Sequence, residues 1–281
     1  MSQHLIATTV VLLSAALHAA WNAVVKASAQ TRSAGVVVLS ISGILAVLCS
    51  LALRGSAFPE IQAVWWSLLA GLFEAGYFLT LVWCLHLGPL SQVYSFSRGG
   101  SLLVAWPLSV LFMAEPLVGL HLVGAGVVLV GLSLAGYTPR SESLGWRYAT
   151  ALVCCAACIA GYHLLYKKAL MLGGHPVAVF AVSMALAAPV NIFWHREQLS
   201  QEWSELKWPV LLPAGVLCTA SFLLALLGLK LAGTGWVLTL RNTSVVMALL
   251  LAWRMGEQIP RQRAAGTVLI ALGAVVLSWP G

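Results

Sequence analysis

Long, uninterrupted apolar runs set the limits on what this chain can become. Breaks at charged, proline and glycine clusters divide its 281 residues into ten segments, approximately 5–27, 35–53, 64–85, 91–113, 118–137, 146–170, 176–194, 209–230, 234–253 and 263–280. A helix crossing a bilayer needs about 20 apolar residues, and these segments have that length. The runs are continuous rather than alternating, which argues against a transmembrane barrel. Composition points the same way: 60% of residues are apolar and 8% charged, against about 25% charged in a soluble domain. So few charges cannot furnish the polar shell of a water-soluble fold. The expected fold is an all-α integral membrane protein of ten transmembrane helices. The longest polar stretch, 195–207, is too short for a soluble domain, so any functional site must be built by the spans.

Several functions are excluded early. The formal charge is +7, but the bases sit singly between apolar runs and form no stripe along which nucleic acid could lie. The six cysteines, Cys49, Cys84, Cys154, Cys155, Cys158 and Cys218, fall within apolar runs and read as small core residues rather than disulfides. Cys155 and Cys158 have CxxC spacing without a second pair, which is a weak metal signal. No aspartate occurs anywhere, so aspartyl proteolysis and paired-aspartate metal sites are ruled out. No nucleophile elbow, His-Glu-x-x-His or P-loop is present either. No cofactor is called for, and the chain is not expected to be an enzyme. The first segment is too long for a signal-peptide core and lacks a basic flank, so it is expected to remain as a span.

An internal repeat is the most informative pattern. Glu115, Gly124 and Gly131 recur as Glu257, Gly266 and Gly273, shifted by 142 residues, and Arg98 recurs as Arg241, shifted by 143. Trp21, Asn22 and Lys26 answer Tyr162, His163 and Lys167, shifted by 141. These offsets predict duplication of a five-helix unit, with repeats over 1–138 and 139–281. Five crossings are an odd number, so the second copy enters from the opposite side and the halves are inverted. Inverted repeats around a midplane site are a transporter architecture.

At these residues the chain resembles the drug/metabolite transporter superfamily, specifically its ten-span EamA-type permeases. The resemblance rests on Leu-His-Ala-Ala-Trp-Asn-Ala-Val-Val-Lys at 17–26, Arg-Gly-Gly-Ser at 98–101, Arg-Asn-Thr-Ser at 241–244 and each half's Glu…Gly…Gly pattern. It implies transport of small metabolites, often export, from a central cavity lined by both halves.

A charge at mid-bilayer costs at least about 2.5–3.5 kcal/mol on insertion scales, so such residues face the bundle interior and have a partner or a task. Glu74, the one carboxylate in the middle of a span, is the candidate proton-coupling residue; the alternative is a fixed ion pair with Arg98 or Arg241. Arg98 and Arg241 are candidate anion contacts, since the guanidinium fork matches carboxylate and phosphonate oxygens; the alternative is helix capping or snorkelling. His18, Trp21 and Asn22 on the first span, Tyr77 one turn after Glu74, Tyr94 one turn before Arg98, and His163 complete the candidate substrate site; for His18 the alternative is an interhelical hydrogen bonder. Glu115 and Glu257 read as loop hydrogen bonders or helix caps, and the four repeated glycines as packing faces.

The expected function is a secondary transporter, an exporter or proton-coupled permease, moving a small anionic or zwitterionic metabolite by alternating access. The competing reading is a membrane-embedded enzyme or lipid-handling protein using Glu74 and a histidine as acid and base. The expected partners are the small-molecule substrate and the lipid bilayer, in the cytoplasmic (inner) membrane of the cell, as a monomer or homodimer. Lysine and arginine number nine at the odd-numbered connections and four at the even connections and termini. That bias places the odd connections in the cytoplasm, whereas the family resemblance implies cytoplasmic termini.

Overall fold

The computed structural model describes residues 3–53, 57–113, 119–135 and 145–277, and all regular structure in them is helical. In chain order the helices are α1 (Gln3–Ala27), α2 (Thr31–Leu51), α3 (Ile61–Leu87), α4 (Leu90–Met113), α5 (Gly119–Ala135), α6 (Gly145–Met171) and α7 (Pro176–Trp194). Then follow the short α8 (Arg196–Glu202), a 3₁₀ turn, α9 (Trp208–Leu231), α10 (Thr234–Asn242), α11 (Ser244–Arg254) and α12 (Arg261–Leu277). Each apolar segment of the sequence coincides with helix, except that 234–253 is broken in two after Asn242. By length and composition seven stretches can cross a membrane: α1, α2, α3, α6, α7, α9 and the α10–α11 pair. At 1.5 Å per residue, helices of 19 to 27 residues span roughly 30–40 Å, the thickness of a hydrocarbon core or a little more.

The helices stop where local chemistry requires. Gly173, with φ of +82°, lets the chain turn out of α6, and the Gly174 amide then bonds back to the Ala169 carbonyl. Gly256, with φ of +84°, ends α11 in the same way, the Glu257 amide reaching the Ala252 carbonyl. Pro176 opens α7 at a position where a missing N–H costs nothing.

Outside and inside are reversed relative to a soluble protein. Leu51, Trp65, Leu111, Phe112, Trp146 and Phe193 stand exposed on the bundle's flank, while His18, Asn22, Glu74, Arg98, His163 and Arg241 are buried. Of the cysteines, Cys84, Cys155 and Cys218 are buried as expected, but Cys49 and Cys154 lie on the exposed flank, and all six are free thiols. Where the solvent is lipid, an apolar thiol needs no burial.

The packing partners form a regular set. α5 packs against α12, α2 against α7, α3 against α6 and α1 against α9, while α4 lies on α6 and the α10–α11 pair on α1. Exchanging α1 through α5 for α6, α7, α9, α10–α11 and α12 returns the same set of pairs. At the α5–α12 contact a Cβ on Gly124 would stand 2.9 Å from the Gly273 carbonyl oxygen, and one on Gly131 would stand 2.8 Å from that of Gly266. The repeated glycines are therefore where two helix backbones touch. Lys26 donates to the carbonyls of Leu85 and Gly88 at 2.7 and 2.8 Å, at the end of α3. Its counterpart Lys167 donates to those of Leu229 and Ala232 at 2.8 and 3.0 Å, at the end of α9. Each ammonium satisfies carbonyls that a helix end leaves without intrahelical partners. Glu257 accepts from the Leu90 amide at 2.6 Å and the Ser91 amide at 3.3 Å, so it caps α4 across the bundle rather than the helix that follows it. Glu115 lies outside the described residues.

Candidate functional site

The candidate residues come from five helices and meet in the bundle interior. His18, Trp21 and Asn22 project from α1, Glu74 and Tyr77 from α3, Tyr94 and Arg98 from α4, His163 from α6 and Arg241 from α10; each is 3% exposed or less. The arginines are thus not snorkelling to an interface.

Arg241 is held by two imidazoles, one from each half of the chain. Its NH1 lies 2.7 Å from His163 Nε2 and its NH2 3.2 Å from His18 Nδ1. An arginine only donates, so both ring nitrogens accept and both rings are neutral. His163 then carries its proton on Nδ1, which donates to the Ile159 carbonyl at 2.7 Å. His18 carries its proton on Nε2, which donates to the Tyr77 hydroxyl at 3.2 Å. Ser221 Oγ stands 3.1 Å from His18 Nδ1, and its backbone carbonyl accepts from Ser14. These tautomers follow from the hydrogen-bond network. Imidazole lone pairs orient the guanidinium without cancelling its charge.

The Asn22 amide donates to the His18 carbonyl at 2.8 Å and to the Tyr94 hydroxyl at 3.1 Å, and that hydroxyl donates to the same carbonyl at 2.8 Å. Asn22 Oδ1 has no partner among the described residues. Arg98 lies with its guanidinium carbon 6.0 Å from the centre of the Tyr94 ring, and its NH2 has no partner. The Arg241 Nε likewise has none.

Glu74 makes a different set of contacts. Its Oε2 accepts from the Tyr166 and Ser183 hydroxyls, the latter at 2.7 Å, while Oε1 is buried without a partner. Among the described residues Glu74 pairs with neither arginine and bonds to neither histidine of the site. The fixed ion pair of Glu74 with Arg98 or Arg241 is thus absent among the described residues. Tyr162 joins the two parts: its ring stacks on His163 at 4.3 Å and meets those of Tyr77 and Tyr166 at 5.6 Å each.

Aromatic rings close the site. Trp21 meets His18 edge-on at 5.1 Å, and Phe222 lies 5.6 Å from His18 and 5.7 Å from the Arg241 guanidinium carbon. Phe180 stacks on Phe222 at 5.1 Å. Tyr166, Ser183, Ser221 and Phe222 were not singled out from the sequence. Tyr166 sits one turn after Tyr162, a spacing that could have drawn attention to it. The two serines lie singly in apolar runs and give no signal.

Arg98 and Arg241 share a local setting. Ser101 Oγ donates to the Arg98 carbonyl at 2.8 Å, and Ser244 Oγ to the Arg241 carbonyl at 2.6 Å. Back-bonding of this kind bends helices. After Arg241 the helix is interrupted for one residue at Thr243, which keeps right-handed helical dihedrals (φ −57°, ψ −22°), and beside it Asn242 Oδ1 is buried with no partner among the described residues. Among the described residues no group of histidines, cysteines and glutamates is placed to hold a metal ion.

A polar, positively charged interior inside an apolar-coated bundle of membrane-length helices defines a multi-pass membrane protein. Residues 146–279 match the model of the EamA-like transporter family, in agreement with the resemblance read from the chain's motifs. A solved structure described only as a crystal structure of a protein is 21% identical, with a TM-score of 0.71, covering 99% of this chain and 96% of that one. At that identity the likeness is one of fold, and it extends over both halves. No curated protein matches the chain.

Proposed function

We propose that this protein is a secondary transporter of a small anionic or zwitterionic metabolite, working by alternating access in the cytoplasmic membrane. The observation that carries this reading is the state of Arg98 and Arg241, two of the three arginines buried among the described residues. Among the described residues Arg98 NH2 and Arg241 Nε lack partners, and the Glu74 carboxylate is bonded to hydroxyls instead. Two buried guanidinium groups with no counter-ion among the described residues are costly, and a carboxylate or phosphonate on the solute offsets that cost with a matching pair of acceptors. The unpartnered Glu74 Oε1 offers a contact to an amino group, or takes up the coupling proton.

The matched lysine caps, the glycine contacts and the exchangeable set of helix pairs support two inverted five-helix repeats, 1–138 and 139–281, which together form ten spans. Rocking of one half against the other would expose the site to each side in turn. With no nucleotide-binding motif in the sequence, the energy comes from solute or proton gradients, and a monomer or a homodimer contains a complete site.

Purified protein in liposomes is expected to move a labelled carboxylate- or phosphonate-bearing solute without altering it chemically, and Arg241→Gln is expected to abolish the movement. Proton coupling that survives Glu74→Gln would remove Glu74 as the carrier. Chemical conversion of the solute would replace transport with catalysis.

A further inference from the structure

Away from the central site, the flank of the bundle carries a second built feature. α3 packs on both α6 and α7, while α6 and α7 barely touch each other, so a furrow opens between them with α3 as its floor. Its volume is about 400 Å³. One end has Leu79, Ala151 and Cys154 on its walls together with Thr80 and Thr150, whose hydroxyls bond to carbonyls of their own helices; the other is ringed by Trp83, Arg147, Trp194 and His195. Arg147 lies at the start of α6 and Trp194 at the end of α7, so the ringed end is at one face of the membrane. It is the face that carries the excess of lysine and arginine, which the charge bias assigns to the cytoplasm.

The chemistry of that rim is specific. Arg147 sits with its guanidinium carbon 5.8 Å from the Trp146 ring centre, which supports it on an aromatic face at headgroup depth. The neighbouring Arg196 points elsewhere, stacked on Phe193 at 4.4 Å and bonded to that residue's carbonyl. His195 is 9% exposed, and burial holds its pKa below the ordinary histidine range. Its Nδ1 bonds to the Asn191 carbonyl at 3.2 Å, so the neutral ring presents Nε2 as an acceptor. A cation beside a hydrogen-bond acceptor, above a mainly apolar slot, complements a phosphodiester whose headgroup bears hydroxyls. From Arg147 to Ala151 is one helical turn, about 6 Å, enough for a glycerol backbone and the top of an acyl chain.

The other half lacks this set. At offsets of 141 to 144, Arg147 corresponds to Ile6, Trp194 to Leu53 and Trp83 to Leu227, all aliphatic. His195 corresponds to Arg54, so a basic residue recurs at that position, while Arg147 and the two tryptophans are not requirements of the shared helical frame.

We infer that the furrow between α6 and α7 is a binding site for a single anionic phospholipid of the phosphatidylglycerol type. The phosphate lies on Arg147, a headgroup hydroxyl donates to His195 Nε2, Trp83 and Trp194 flank the glycerol backbone, and an acyl chain runs past Leu79 and Ala151. This site is separate from the solute site and does not depend on what the central cluster transports.

The test uses the full-length protein in a non-ionic detergent with phosphatidylglycerol, phosphatidylethanolamine or phosphatidylcholine added at equal mole fraction. Phosphatidylglycerol is expected to raise the melting midpoint above the other two, since a ligand of the folded state stabilises it. Arg147→Gln should erase that difference while Arg254→Gln, on the same face but outside the furrow, retains it. Cys154 lines the furrow and is exposed, so its alkylation by a maleimide gives a second readout on the unmutated protein. Phosphatidylglycerol at about ten times its Kd should slow that reaction about tenfold, with the exposed Cys49 on α2 unaffected. Equal stabilisation by the three lipids, a headgroup preference that survives Arg147→Gln, or undiminished Cys154 reactivity would each overturn the assignment.

Discussion

Gly266→Ala tests the α5–α12 contact on which the two halves meet. A Cβ at position 266 would lie 2.4 Å from the Ala135 nitrogen and 2.5 Å from the Gly131 carbonyl oxygen. Both are backbone atoms, so no side chain can swing aside. Ordinary contact lies near 3.5 Å or beyond, so the helices must part by about 1 Å, and a gap of that size forfeits a quarter to a half of each contact's dispersion energy. Overpacking of this kind costs about 1–3 kcal/mol, which lowers a melting midpoint by roughly 2–4 °C per kcal/mol in a chain somewhat smaller than this one. The matched control is Gly126→Ala on α5, where an added Cβ meets nothing within 4 Å; helix propensity alone makes that change neutral or favourable by up to about 1 kcal/mol. Thermal unfolding of the detergent-solubilised protein, followed by dye labelling of the buried Cys84, Cys155 and Cys218 as they become exposed, reads both variants. If Gly266→Ala and Gly126→Ala melt together at the wild-type temperature, the close backbone contact is wrong.

The matched caps should respond as a pair: Lys26→Met and Lys167→Met each remove two hydrogen bonds from a half-buried ammonium, and each should cost about 1–3 kcal/mol, read by the same melting assay. A large effect from one and none from the other would break the equivalence of the halves. His163→Gln keeps an acceptor for Arg241 NH1 and should retain solute affinity, whereas His163→Leu strands a buried cationic donor and should weaken binding about tenfold or more, measured by titration. Tyr166→Phe removes one of two hydroxyls on Glu74 Oε2, and should alter the pH dependence of transport while leaving the fold intact; a profile identical to wild type would disconnect Tyr166 from the coupling step.

Much of this architecture can be read from the residues in order. Segment edges fall within a few residues of the helix ends because glycine, proline and charge mark where the apolar runs stop. The break after Asn242 escapes notice because Arg241-Asn242-Thr243-Ser244 sits inside a run of helix length, and only the serine back-bond hints at distortion. The intramembrane charges identify themselves by their insertion cost, so His18, Glu74, Arg98, His163 and Arg241 stand out without a structure. Which of them touch is a tertiary fact. Arg241 lies 78 residues along the chain from His163 and 223 from His18, and no spacing rule links them. Ser183 and Ser221 are invisible for a related reason: a serine in an apolar helix usually satisfies itself on the preceding turn, as Ser67 does with the Ala63 carbonyl. Glu257 is recognisable as a cap, but its client, α4, belongs to the other half.

The most direct measurement of the central account is a thermal-shift comparison of small solutes in matched pairs, each acid beside its methyl ester, on wild-type protein and on the Arg98→Gln/Arg241→Gln double variant. Acids that stabilise the wild type while their esters do not, with the effect gone from the double variant, are the predicted result. Stabilisation by esters or by cations as great as that by acids, or an acid effect that persists without the two guanidinium groups, would contradict it.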